Sequence, residues 1–218
     1  MRATVAEARQ HFQQVLEERR REPRDDLMSD LLRARVDGEA LTDAELMGFM
    51  FLLVVAGMET TVHLMNHSAI RFRDEPELMG RLRADRSLIP RFVEEILRYE
   101  PPVHGIFRMT TQETELGGVR LPKGARMLVV LCSANRDEAQ FPDADRFELE
   151  RGGPQNLPFG HGIHFCLGAQ LARLEARLGT EALVTRFSRL SPGDGPVRWN
   201  SSLVVRGPLS LPLVAHPA

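Results

Sequence analysis

At 218 residues and a formal net charge of −2, with 43% hydrophobic and 27% charged residues, the chain has ordinary globular composition and enough length for a sizeable core. The near-neutral charge gives no electrostatic reason to expect a nucleic acid or an anionic membrane as partner. Cys132 and Cys166 stand in unlike contexts and make no disulfide framework, which fits a reducing cytoplasm, and the charged N-terminal stretch has no apolar core of signal type.

Val5, Ala8, Phe12, Val15 and Leu16 recur at helical spacing, so residues 2–22 read as an amphipathic helix stopped by Pro23. Leu27, Met28, Leu31 and Leu32 mark a shorter helix, and Asp37-Gly38 a turn. Thr42 followed by Glu45 is a capping box that opens a helix running without proline to about Arg73, roughly 45 Å long. Its longest uncharged run, Leu46 to Met58, is 13 residues, too short for a membrane span, and is expected to be buried in a core.

In the middle of that helix stands Ala56-Gly57-Met58-Glu59-Thr60-Thr61. A helical glycine costs about 1 kcal/mol relative to alanine, and a carboxylate interrupts an apolar face. Either Gly57 marks a close helix crossing with Glu59 at an exposed edge, or Ala56 and Gly57 admit a flat ligand beside a carboxylate and hydroxyl able to move protons.

Pro76 precedes a short helix, and another is expected from about Leu88 to Tyr99, with Glu95 and Arg98 at i,i+3 on one face. Beyond Pro101-Pro102 the period shifts. Residues 105–110, 114–121 with a turn at Gly117-Gly118, and 126–132 read as short strands. Arg108 needs an anionic partner if it points inward, and is otherwise an exposed edge charge. Cys132 reads as a core residue and Trp199 as packing. Residues 133–151 are too rich in proline and aspartate for regular structure. A long helix follows from Leu167 to Phe187, a turn at Gly193 to Gly195, and terminal strands over 197–215.

The stretch Phe159 to Gly168, F-G-H-G-I-H-F-C-L-G, sets two histidines and a cysteine among glycines where a turn enters a helix. N–H donors of a first helical turn favour an anion, here the Cys166 thiolate. A buried structural cysteine is the plainest reading. Zinc on His161, His164 and Cys166 lacks the fourth ligand of a closed site. Haem held by a cysteine thiolate is the third, and the glycines would let a large flat cofactor lie against main chain.

This loop resembles the haem-binding loop of the cytochrome P450 monooxygenases, and Ala-Gly-x-Glu-Thr, Glu-x-x-Arg and Asp-Arg-Phe (Asp145 to Phe147) resemble further motifs of that family in the same order. The resemblance runs from about residue 25 to the end. It implies a mainly α fold with small β-sheets, the C-terminal portion of the P450 fold, as one partial domain over 1–218 without the N-terminal half. It also implies haem b as cofactor, with Cys166 as the metal ligand and Ala56, Gly57, Phe159, Gly160 and Gly168 around it. Arg108 and His164 would meet the haem propionates, and Glu59 and Thr60 would move protons during oxygen activation. Glu95, Arg98 and Arg146 would form a buried structural set. The implied partners are a ferredoxin-type electron donor, O2, a small apolar substrate lined by Val103, His104, Ile106 and Phe107, and a complementing N-terminal half or partner protein. No nucleic acid and no membrane are implied, and the place is the cytoplasm. The rival expectation is a truncated, non-catalytic P450-like partner or activator protein.

Overall fold

The computed structural model describes residues 2–151 and 156–218. These fall into two compact units, Met1–Met58 and Glu59–Ala218.

In the first unit, α1 (Arg2–Arg21) and α2 (Leu27–Arg33) are followed by a hairpin of β1 (Arg35–Val36) and β2 (Glu39–Ala40). Asp37 and Gly38 take φ of 52° and 88°, the left-handed pair that a two-residue hairpin turn requires. Asp26 caps α2 by accepting from the Ser29 N–H and pairs with Arg19, which holds its carboxyl well below the usual carboxylate range. The capping box forms as expected. The Thr42 N–H donates to Glu45 Oε2 at 2.8 Å, and the Glu45 N–H donates to Thr42 Oγ1 at 3.3 Å.

That box opens α3 (Asp43–Asp74), 32 residues long, and the border between the units falls within it. The expectation that Leu46 to Met58 is buried needs correction. The first unit's core closes on Leu16, Leu46 and Met50, while Leu52, Val54, Val55 and Met58 are exposed. The residues of α1 and α2 that join this core reach the run only as far as Phe51. The whole of α3, unlike the uncharged run alone, is long and apolar enough to cross a membrane. Its later part is nevertheless packed against protein, with Leu64 and Phe72 in the core of the second unit.

The second unit gathers α4 (Glu77–Ala84), α5 (Ile89–Tyr99) and α7 (Ala169–Arg186). Phe92, Val93, Ile96 and Leu97 of α5 meet Ala176 and Val184 of α7, and Phe72 stacks on Phe92 with centroids 4.7 Å apart. The strands form only antiparallel pairs among the described residues: β3 (Gly105–Met109) with β6 (Arg126–Val130), and β4 (Thr114–Leu116) with β5 (Val119–Leu121). Further on, β7 (Phe187–Pro192) pairs with β10 (Leu213–Pro217), and β8 (Arg198–Trp199) with β9 (Pro208–Ser210). The architecture is mainly α with small sheets.

Two element ends differ from the sequence reading. Cys132 lies in a helical turn, α6 (Leu131–Ala134), because the buried Asn135 returns its N–H to the Leu131 carbonyl and ends the strand early; Cys132 itself is half-buried. The long helix begins at Ala169, so Cys166 precedes it by a short loop, and it ends at Arg186, after which Phe187 enters β7.

Candidate active site

Beneath the cysteine loop lies a closed ionic cluster. Arg98 and Glu95 are both buried on α5, one helical turn apart, and meet through two bonds of 2.8 Å, from Nε to Oε2 and from Nη2 to Oε1. The remaining Arg98 donors reach the carbonyls of Asn135, Ala144 and Arg146 at 2.8–3.0 Å, so all five guanidinium N–H groups are used. Glu95 also accepts from the Glu148 N–H at 2.8 Å and from Arg151 Nε at 3.2 Å. These bonds fasten the irregular segment 135–151 to α5.

The arginine that joins the pair through its side chain is Arg151, not Arg146. Arg146 sits in a turn whose N–H returns to the Asp143 carbonyl; its own carbonyl points to Arg98 and its side chain is exposed. The sequence-stretch Asp145-Arg146-Phe147 thus contributes main chain to the cluster.

Two asparagines carry this rigidity into the loop. Asn135 Oδ1 accepts from the Leu157 N–H at 2.7 Å, and Asn156 Nδ2 donates to the Glu94 carbonyl at 2.9 Å. Arg173 of α7 binds Glu94 through Nε at 2.6 Å and Nη2 at 3.2 Å and lies 4.6 Å over the Phe159 ring. The loop itself closes when the Cys166 N–H donates to the Phe159 carbonyl at 3.0 Å and the Phe165 N–H to the Gly162 carbonyl at 2.9 Å. Gly160 and Gly162 take φ of 72° and 74°, where a side chain would be strained. Residues 161–168 are all exposed, Ile163 at 97%. His164 and the Cys166 thiol are therefore uncovered, and a Cβ on Gly168 would stand 4.0 Å from Cys166 Sγ.

The other sequence-marked residues lie on two further elements. Ala56, Gly57, Glu59 and Thr60 follow one another along α3, and a Cβ on Gly57 would meet nothing within 4 Å, so no close helix crossing among the described residues explains that glycine. Glu59 is 57% exposed, with Oε1 3.3 Å from Nε2 of the buried His63. Four residues on, His67 Nδ1 donates to the Glu100 carbonyl at 2.7 Å, while burial pushes its pKa below the usual imidazole value. Arg108 stands exposed on β3, its Nη1 turned back to the Phe107 carbonyl at 2.9 Å rather than to an acid.

A family model described as Cytochrome P450 matches residues 1–212. The chain belongs to the cytochrome P450 family. It is similar to Cytochrome P450 107B1 of Saccharopolyspora erythraea, 42% identical over 207 residues, or 94% of this chain and 51% of that protein. It is 38% identical over 218 residues to the mycinamicin IV hydroxylase/epoxidase of Micromonospora griseorubida, covering 98% of this chain and 55% of the relative. Among solved structures, cytochrome P450 CYP109Q5 from Chondromyces apiculatus matches with a TM-score of 0.94 at 46% identity, over 99% of this chain and 56% of that one. The chain spans about half the length of the curated relatives it matches.

Members of the P450 family use haem b, and the residues present fit it. A single soft sulfur donor lies uncovered in a glycine-rich loop beside Phe159, Phe165 and Leu167. The exposed Arg108 offers donors suited to a carboxylate. A zinc site on His161, His164 and Cys166 is not favoured, since among the described residues no group of three or more His, Cys, Asp or Glu side chains is placed to hold a metal ion. Sequence reasoning missed Arg151, Asn135, Asn156, the Glu94–Arg173 pair and His63. Of these only His63 carried a local signal, its i,i+4 spacing from Glu59.

Proposed function

We propose that the chain carries the haem-thiolate part of a bacterial monooxygenase that inserts one oxygen atom of O2 into an apolar organic substrate in secondary metabolism. The observation that carries this reading is the uncovered Cys166, held in a main-chain-closed glycine loop on a buried ionic cluster. The names of relatives point the same way, the mycinamicin IV enzyme being a hydroxylase/epoxidase. Bound haem supplies the iron centre for oxygen chemistry.

Around that cofactor each side chain has a separate task. Cys166 would donate its sulfur, with Phe159 and Phe165, ring centroids 6.5 Å apart, limiting water beside it. Gly160 and Gly168 would leave room for the ring, and Arg108 and His164 would hold its carboxylates. Glu59, open to solvent, would take up protons and pass them to Thr60, whose hydroxyl would hold and donate them. Two protons and two electrons are consumed for each oxygen atom inserted, the second atom leaving as water. The electrons would come from a ferredoxin-type donor, and the place is the cytoplasm. An apolar substrate suits Ile106 and the exposed Phe107 of β3.

Replacing Thr60 by Ala in the haem-loaded protein tests the proton role. Peroxide released per NAD(P)H oxidised should rise; an unchanged ratio would remove Thr60 from the mechanism. Failure of the unsubstituted protein to oxidise NAD(P)H with any ferredoxin donor would favour the non-catalytic partner reading instead.

A further inference from the structure

The imidazole of His63 is buried, yet only one of its nitrogens has a partner. Nε2 lies 3.3 Å from Glu59 Oε1. Nδ1 has no hydrogen-bond partner, and it faces the α-carbon of Gly207 so closely that a Cβ there would fall on the ring. Gly207 is itself fixed just before β9: its carbonyl accepts from the Asn200 N–H at 3.0 Å, and its N–H donates to Asn200 Oδ1 at 3.4 Å.

These contacts decide where the imidazole hydrogen sits. A hydrogen on Nδ1 would be buried against a CH2 group with no acceptor, which costs about 1–3 kcal/mol. The hydrogen therefore belongs on Nε2, where Glu59 accepts it.

We infer that His63, clamped by Gly207, is a positioning residue for the Glu59 carboxylate, so that the hairpin of β8 and β9 controls the group that takes up protons for the reaction. The catalytic consequence rests on the proposed role of Glu59; the contact itself does not. Because Glu59 is largely exposed, its carboxylate has many rotamers available. One fixed donor a helical turn away restricts them and keeps one oxygen turned toward His63. No proton passes through His63 in this scheme, since Nδ1 has no group from which to be resupplied.

The first test is the imidazole nitrogen spectrum of the 15N-labelled chain, which needs neither haem nor substrate. It should show the hydrogen on Nε2, and Glu59→Gln should shift the His63 Nε2 resonance. A hydrogen on Nδ1, or resonances unmoved by Glu59→Gln, would overturn the inference. The second test uses the haem-loaded protein with its electron donor and reads peroxide released per NAD(P)H oxidised, without added substrate. Glu59→Gln, His63→Phe and Gly207→Ala should each raise this ratio by about twofold or more. His63→Gln, which restores a side-chain donor at i,i+4, should return it to the original value. The double variant Glu59→Gln/His63→Phe should match the single ones, because both remove one interaction. If Glu59→Gln raises peroxide and His63→Phe does not, His63 has no positioning role. If Glu59→Gln changes nothing, the proton role of Glu59 fails, and the nitrogen spectra still decide the contact.

Discussion

Arg98 and Arg108 are ten positions apart in the helix-to-strand region of the chain, and the structure uses them in opposite ways. Arg98 is buried and spends all five donors on Glu95 and three carbonyls. Arg108 is exposed and returns one donor to the neighbouring carbonyl. The same contrast separates the cluster around Glu95 from the loop around Cys166. In the first, every guanidinium N–H of Arg98 is matched within the chain, so the region serves as support. In the second, main-chain bonds close the loop while sulfur and imidazole are left open, so the region is built to receive something.

Removing the guanidinium tests the closed side most severely. Arg98→Ala should cost about 3–5 kcal/mol, because Glu95 would remain buried with its main charged partner gone; denaturant unfolding measures it. Arg108→Ala should change stability by less than about 0.5 kcal/mol while weakening haem retention. An equal loss of stability in both variants would break the comparison. Asn135→Ala leaves the Leu157 N–H without its acceptor and should cost about 1–3 kcal/mol. Arg173→Leu removes the two bonds to Glu94 and the guanidinium over Phe159, and should cost about 1 kcal/mol. It should also speed alkylation of Cys166 in the haem-free chain, since Phe159 closes the loop through its carbonyl.

The smallest effect expected is on acid stability. Burial lowers the pKa of His67, opposed by its bond to the Glu100 carbonyl, and burial followed by Arg206 lowers that of His104. The unfolded rings take up protons near 6.5, the folded ones only at lower pH. The stabilising difference is therefore complete above 6.5 and shrinks as pH falls from there toward the folded values. Unfolding at about pH 7.5 and about pH 5.5 should show this decline, and His67→Phe should lessen it.

What could be read from the sequence was whatever is settled by neighbours in the chain. Thr42 and Glu45 cap α3, Asp37-Gly38 turns the first hairpin, Glu95 and Arg98 meet across one helical turn, and the loop from Phe159 to Gly168 carries its own glycines. What escaped joins distant residues: Arg151 reaches Glu95 across 56 positions, Arg173 reaches Glu94 across 79, and Gly207 meets His63 from the far end of the chain. No periodicity records such meetings. The apolar run 46–58 misled for a related reason, because hydropathy reports what a face prefers and not whether this chain supplies its cover.

Every proposed task in the site presupposes that Cys166 is the ligand of the haem iron. The visible spectrum of the haem-loaded protein, reduced and exposed to carbon monoxide, reads that bond directly. A strongly red-shifted Soret band that disappears in Cys166→Ala, with haem still bound in the variant, is the result the account predicts. A band of the histidine-ligated kind, present alike before and after the substitution, would contradict it.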